Sequence, residues 1–321
     1  MKNCRIFVMT LWLLPLSAAV SQAAVRPPAV PLVSVEPHFS VWSAADRLYD
    51  KDTTHWSGVA QPLTILLDAD GVTYRICGRG KDKTLELPVL PQTGCRVGAT
   101  VTSYRFADGN GLSAEVDFTT PRLTDDLDVF SRPMTYVTVR VKGAKAASVR
   151  ASITGAWATN DDKAKMLWTT NAVAGVRDVS VCRVDAVPFS IRGDHKRANW
   201  GRVHLVGPLT TNHQPLTTTF LLAYDNEKSV RFFGRGLVDW WARGGKSFDA
   251  MLAEAVDDAV RLEAKCRAST RNSAPIWSVS AAGNTPTSRS CPGVRASPPA
   301  SSCPGRMESR SCFPPKTTPA A

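Results

Sequence analysis

Apolar and polar residues alternate with a period of two along most of the chain between about Val33 and Phe233. In LSAEVDFTT, Leu112, Ala114, Val116 and Phe118 fall on one side and Ser113, Glu115, Asp117 and Thr119 on the other. That is the pattern of a strand with one face in a core. TYVTVRVKG repeats it, with Val137, Val139 and Val141 opposite Tyr136, Thr138 and Arg140. Turn residues punctuate these runs. Asp70-Gly71 splits PLTILLDADGVTYRIC into a hairpin, and Asp108-Gly109-Asn110-Gly111 precedes the next strand. Further strands are expected near 146–156, 166–184, 202–206 and 216–224. Many short strands without intervening helices predict an antiparallel two-sheet β-sandwich, with an open barrel as second choice.

The period changes after Phe233. Gly244-Gly245 divides a helical stretch, and in its second half Phe248, Leu252, Val256, Ala259 and Leu262 recur at three and four residues. Ser247 is placed to cap its start. Such an amphipathic helix needs a partner. Read as an entrance to a helical domain, it would leave Leu237, Trp240, Trp241, Leu252 and Val256 short of contacts if that domain were missing.

The net charge of +11 suggests a nucleic-acid binder until it is located along the chain. Lys2 and Arg5 carry +2 and the residues from Arg271 onward carry +5, which leaves +4 for the body. That is ordinary for a domain of this size, and nucleic acid is not expected as a partner. Residues 1–23 have the order of an export signal: Lys2 and Arg5, an apolar Ile6–Leu16, and a small-x-small site at Ser21-Gln22-Ala23. Secretion, or delivery to a periplasm, with no membrane contact after signal removal, is the expectation. The chain has 8 cysteines, of which Cys4 would leave with the signal. Cys77 and Cys95 could pair or lie buried as thiols. No spacing of Cys and His argues a metal site, and no cofactor is implied.

PHFSVWSAADRLYDKDTTHWSG is long and irregular, and it resembles the N-terminus of the glutaminase A family. The likeness continues through FTTPRLTDDLDVFSRPMTYVTVRV, GAWATNDDKAKMLW and RGDHKRANWGRVHLV to the helical stretch, covering about 25–268. The resemblance implies an N-terminal β-sandwich followed by a large α-helical domain similar to six-hairpin glycosidases. It also implies hydrolysis of L-glutamine to glutamate and ammonia. The division expected is 1–23 signal, 24–60 family-signature segment, 61–233 sandwich, 234–268 helical linker and 269–321 tail.

The tail, rich in Pro, Ser and Arg, is disordered by composition. Back-translated in the next frame from Ser269, it acquires helical periodicity and resembles the start of the family's helical domain. A frame shift is therefore read there; the alternative is a genuine polar tail.

Amide hydrolysis needs a nucleophile or activated water, a proton shuttle and donors facing an oxyanion. Spacing identifies no such set, so no catalytic residue is named. The segment HFSVWSAADRLYDKDTTHW gathers His38, Trp42, Asp46, Asp50, His55 and Trp56, types suited to sugar or amino-acid contacts. The plainer reading is that both tryptophans anchor a loop and both aspartates make turns. Asp161, Asp194 and Trp200 are further ligand candidates. The expected function is the non-catalytic sandwich portion of a secreted glutaminase A-like hydrolase, truncated and inactive alone. The competing readings are a free-standing carbohydrate- or cell-wall-binding sandwich and a scaffold subunit for a separately encoded helical domain.

Overall fold

The computed structural model describes residues 27–280 apart from 38, 81, 155, 160–178, 186–201, 209–214, 226–229 and 273–275. The strands in chain order are β1 (Val30–Ser34), β2 (Ser40–Ser43), β3 (Thr54–His55), β4 (Leu63–Ala69), β5 (Val72–Cys77), β6 (Gln92–Val97), β7 (Val101–Ala107) and β8 (Ser113–Thr119). There follow β9 (Met134–Lys142), β10 (Ala147–Thr154), β11 (Val179–Asp185), β12 (Arg202–Pro208), β13 (Leu216–Asp225), β14 (Val230–Phe232), β15 (Arg235–Leu237) and β16 (Trp277–Ser280). The α-helices are α1 (Leu127–Ser131), α2 (Ala156–Thr159) and α3 (Phe248–Asn272). The mainly-β expectation holds.

A four-stranded sheet, β12-β10-β4-β5, and a seven-stranded sheet, β11-β13-β9-β8-β7-β6-β16, share one core. Every described pairing is antiparallel except β11 with β13. Leu63, Ile65 and Leu67 of β4 and Val149, Ala151 and Ile153 of β10 come from one sheet. Val116 and Phe118 of β8, Val137, Val139 and Val141 of β9 and Phe220 and Leu222 of β13 come from the other. Strict alternation turns these residues inward together, and each of the larger aliphatic and aromatic side chains contributes about 1.5–3 kcal/mol on burial. The hairpin at Asp70-Gly71 forms as its sequence requires. Both residues have positive φ (47° and 86°), the twist that a two-residue turn between antiparallel strands needs.

The outer face of the seven-stranded sheet is not left to solvent. Its Val101, Tyr136, Leu221 and Ala223 form a second apolar cluster with Met251, Leu252, Ala255, Val256, Ala259 and Leu262 of α3. Ser247 starts that helix as expected, its Oγ accepting from the Ala250 amide at 3.1 Å. This corrects one expectation. Trp241, Leu252 and Val256 are buried because the sheet itself supplies the partner, whereas Leu237 and Trp240 are exposed.

Two boundaries also move. The one at 233 falls at the tip of the β14–β15 hairpin, where Phe233 and Gly234 both have positive φ. The one at 268 falls inside α3, which runs on to Asn272, and β16 then pairs with β6 with Trp277 buried. Residues 269–280 therefore include folded chain. The last turn of α3 is held by Thr270, whose carbonyl accepts from Arg96 and whose hydroxyl meets that of Thr100, and the open edge of β6 offers unpaired backbone groups that a further strand satisfies. Cys77 and Cys95 are both buried free thiols, which closes the question of their pairing. Residues 1–23 and 281–321 lie outside the described residues.

Candidate functional site

Two side chains of the segment 24–60 converge on one carbonyl, that of Pro37. His55, the last residue of β3, is buried, and its Nε2 lies 2.7 Å from the Pro37 oxygen. A carbonyl can only accept, so Nε2 carries the proton and Nδ1 is left as an acceptor. Nδ1 receives the Ser57 hydroxyl at 2.7 Å and the Ser57 amide at 3.3 Å. The Trp56 indole donates to the same Pro37 oxygen at 2.6 Å, while its ring is 61% exposed. A serine hydroxyl against an oriented imidazole is the start of nucleophilic chemistry. Here the pair is two residues apart, and its bonds all serve to close one turn onto Pro37.

The other sequence candidates do not converge on that point. Trp42 pairs across the ladder with Thr54, and Val41 with His55, so Trp42 and His55 lie on opposite faces of the ribbon. The Trp42 indole donates to Ser40 Oγ at 2.8 Å. Asp50 accepts from the Arg47 amide at 3.3 Å within a local turn. Asp46 is exposed, and its carbonyl accepts from Gln92 Nε2 at 3.4 Å. Trp42 and Asp50 thus make local bonds within the segment, and Trp56 offers its ring to solvent. His38, Asp161, Asp194 and Trp200 lie outside the described residues.

Sequence reading missed the groups that hold the segment in place. Asp52 accepts from the amides of Arg79 (3.0 Å) and Gly80 (3.3 Å). Buried Arg75 donates to the carbonyls of Tyr49 (2.7 Å) and Gly78 (3.1 Å). Gln61 donates to the Ala156 carbonyl at 3.1 Å, and Trp157 donates back to the Gln61 carbonyl at 3.0 Å. Isolated polar residues carry no period, so nothing in the pattern marks them.

Beside the segment lies a cavity of about 310 Å³ whose walls include Glu36, Arg122, Phe130, Tyr224 and Asp239. Arg122 is fixed by donating to the carbonyls of Phe130 and Val35, and its guanidinium lies 5.3 Å from the Phe130 ring centre. Burial lowers its affinity for its proton, partly offset by Glu36. Tyr224 is pushed up by burial and further by Glu36, and it stacks on Phe39 with centroids 5.4 Å apart. Two carboxylates, a guanidinium and a phenol in one small cavity can hold a ligand carrying both charge signs. They do not include an activated nucleophile.

The buried thiols do not supply one either. Burial, helped by Asp52, pushes Cys77 far above its ordinary range, and burial pushes Cys266 up to about 11. Both stay protonated at neutral pH and unreactive. Among the described residues there is no group of three or more His, Cys, Asp or Glu able to hold a metal ion. Among them, too, no helix is long and apolar enough to cross a membrane.

Residues 8–90 match a family described as a domain of unknown function, DUF4964, and residues 100–219 match another, DUF5127. Two named relatives are similar to the chain. A probable glutaminase of Arthroderma benhamiae is 25% identical over 237 residues, covering 67% of this chain and 27% of its own length. Glutaminase A of Aspergillus oryzae is 27% identical over 196 residues, covering 57% of this chain and 28% of its own. The chain thus spans little more than a quarter of the length of these curated relatives.

Proposed function

We propose that this chain is a glutaminase A-like protein whose strand-rich body is the non-catalytic scaffold of a hydrolase acting on the side-chain amide of L-glutamine. The observation that carries this is the pairing of coverage with chemistry. The glutaminase-named relatives are matched over about a quarter of their length, and the described residues here lack a complete acid–base–nucleophile set. Ser57 and His55 come nearest to one. Yet His55 is buried, both of its nitrogens are engaged, and its own turn uses them. The Glu36–Arg122–Tyr224–Asp239 cavity would then form one wall of a substrate site whose reacting groups come from another polypeptide segment.

The full chain, incubated with L-glutamine, is expected to release no ammonia above a heat-treated control. Turnover that disappears in Ser57→Ala or His55→Gln, with folding retained, would instead make the Pro37 turn catalytic and overturn the scaffold reading. A shifted frame near Cys266–Asn272 belongs to the same proposal. Genomic DNA read across those codons tests it: an uninterrupted helical frame after a one-base correction supports it, and no such frame removes it.

The exposed Trp56 ring, fixed by its indole hydrogen bond, favours carbohydrate binding as the second reading, because a held aromatic face suits a sugar ring. Binding to a glycan array that is lost in Trp56→Ala and weakened in Trp42→Ala would support it. Retention of binding in both variants would dismiss it.

A further inference from the structure

The polar half of the seven-stranded sheet's outer face, where α3 ends, carries more positive charge than the fold uses. Arg105 of β7 lies opposite Glu115 of β8, and Glu115 opposite Arg140 of β9, so the three form one row across the sheet. Asp117 and Lys142 share that face by alternation, and Glu263, Arg267 and Arg271 reach it from α3. The three acids of this cluster are taken by two arginines. Arg140 bonds Asp117 at 3.0 Å and Glu263 at 2.8 Å, and Arg267 bonds Asp117 and, at 3.1 Å, Glu115.

Arg96 of β6, one strand in from the edge strand β16, donates to the Thr270 carbonyl at 2.8 Å and makes no ion pair among the described residues. Arg105, Lys142 and Arg271 make no ion pair among the described residues. Two cavities of about 250 and 370 Å³ open here, and both are bordered by Arg105, Glu115 and Arg267, so they form one groove. Arg96 and Arg271 line the first and Lys142 the second. The Nε–H groups of Arg96 and Arg267 are buried without a hydrogen-bond partner. Such unmet donors are costly when buried. Burial also weakens the hold of Arg267 on its proton; Glu115 partly offsets this and Arg271 adds to it. An anion in the groove would offset this concentration of positive charge.

We propose that this groove is a binding site for a tetrahedral oxyanion, phosphate or sulfate, either free or as the monoester of a small organic molecule. The guanidinium fork matches two oxygens of such an anion. Arg105 and Arg271 supply forks that make no ion pair among the described residues, Arg96 and Arg267 add positive charge along the walls, and Lys142 adds a point charge. The wider cavity beside Lys142 gives room for the organic part of an ester. This inference stands apart from the amide-hydrolase reading and is unaffected by its failure.

Isothermal titration of the full chain with inorganic phosphate, sulfate and a sugar phosphate, at fixed ionic strength in chloride, tests it. Arg105→Gln and Arg271→Gln each replace an exposed side chain, and each is expected to weaken binding by about tenfold, the share of one charge-assisted contact. Glu115→Gln, which removes the groove's negative charge, is expected to tighten binding. Lys51→Gln, on the exposed signature loop, is expected to leave it unchanged. Tighter binding of the sugar phosphate than of the free anions would assign the site to esters, and equal binding would assign it to the free ion. No heat beyond dilution, or affinities unchanged in both arginine variants, would overturn the proposal. So would a short DNA duplex bound more tightly than phosphate with the same losses.

Discussion

The Tyr136 hydroxyl donates a 2.6 Å hydrogen bond to the Ala255 carbonyl, joining the outer face of β9 to the middle of α3 across 119 residues of sequence. Both groups are buried. Burial pushes the phenol well above its ordinary range, so it is a donor at neutral pH. Removing the hydroxyl leaves the ring's packing in place and deletes one buried bond. Tyr136→Phe is expected to lower stability to urea by about 1–2 kcal/mol and to reduce hydrogen-exchange protection along Phe248–Asn272. Unchanged protection would mean that apolar contact alone docks the helix.

Arg132 makes the second tie between sheet and helix. Its side chain is only 5% exposed and bonds Asp128 at 2.6 Å, Glu254 at 2.9 Å and Asp258 at 3.0 Å. Burial would raise the Asp258 carboxyl, but hydrogen bonds from Arg261 and Arg132 outweigh it and hold the group below its ordinary value. Arg132→Met leaves three acids facing each other around an apolar side chain. A fully buried pair broken in this way costs about 3–5 kcal/mol. The acids here are partly exposed, so about 2–3 kcal/mol is expected by urea denaturation after screening is allowed for. The loss should shrink as salt is added, and a salt-independent loss would point to lost packing instead.

Glu263 gives a pH dependence whose sign can be worked out. Burial pushes its carboxyl above the ordinary 4.5, against hydrogen bonds from Thr138 and Arg140 that pull the other way. Between 4.5 and the raised value the folded chain keeps this proton and the unfolded chain has released it. Unfolding then releases a proton, so the contribution of Glu263 to stability falls as pH rises through that window. Glu263→Gln cannot titrate. Its stability relative to the parent chain is therefore expected to improve as pH is raised from about 4 to about 7, measured as urea midpoints at matched salt. Parallel pH curves for the two chains would show that Arg140 fully compensates the burial.

These ties explain what was and was not legible in the sequence. The alternation of Leu112–Thr119 and Thr135–Val141 placed two central strands because one face of each is uniformly apolar. The same alternation made Glu115, Asp117, Thr138 and Arg140 look like a solvated face, yet Asp117 is fully buried. A period of two separates faces; it does not say what lies against the second one. Burial of charged residues there depends on complementary charges at Glu263 and Arg267, more than 120 residues away in sequence. The helix itself was readable from its spacing, but the surface receiving it was not. At the signature segment the residue types suggested a ligand site, whereas the bonds of His55, Trp56 and Ser57 depend on a loop carbonyl that carries no side-chain signal.

The end of α3 shows how tightly residues beyond 268 are built in, and Gly98 tests it. A methyl group added at Gly98 would lie 2.1 Å from Thr270 Cγ2 and 3.0 Å from its Oγ1. Thr270 cannot simply turn away. Its hydroxyl lies 3.2 Å from that of Thr100, and its carbonyl accepts from Arg96 at 2.8 Å. Next to this contact, the Ile276 amide donates to the Val97 carbonyl at 2.9 Å, and Trp277 pairs with Val97 to start β16. Gly98→Ala should therefore push the last turn of the helix off the sheet edge, at about 1–3 kcal/mol for an overpacked site. Hydrogen exchange should rise over Cys266–Ser280 and stay unchanged in β8 and β9. Thr270→Ala removes the clashing methyl, so the Gly98→Ala, Thr270→Ala double variant should be more stable than the sum of the single losses. Additive losses would mean that the helix end does not rest on Gly98, and that the folded body stops short of Thr270.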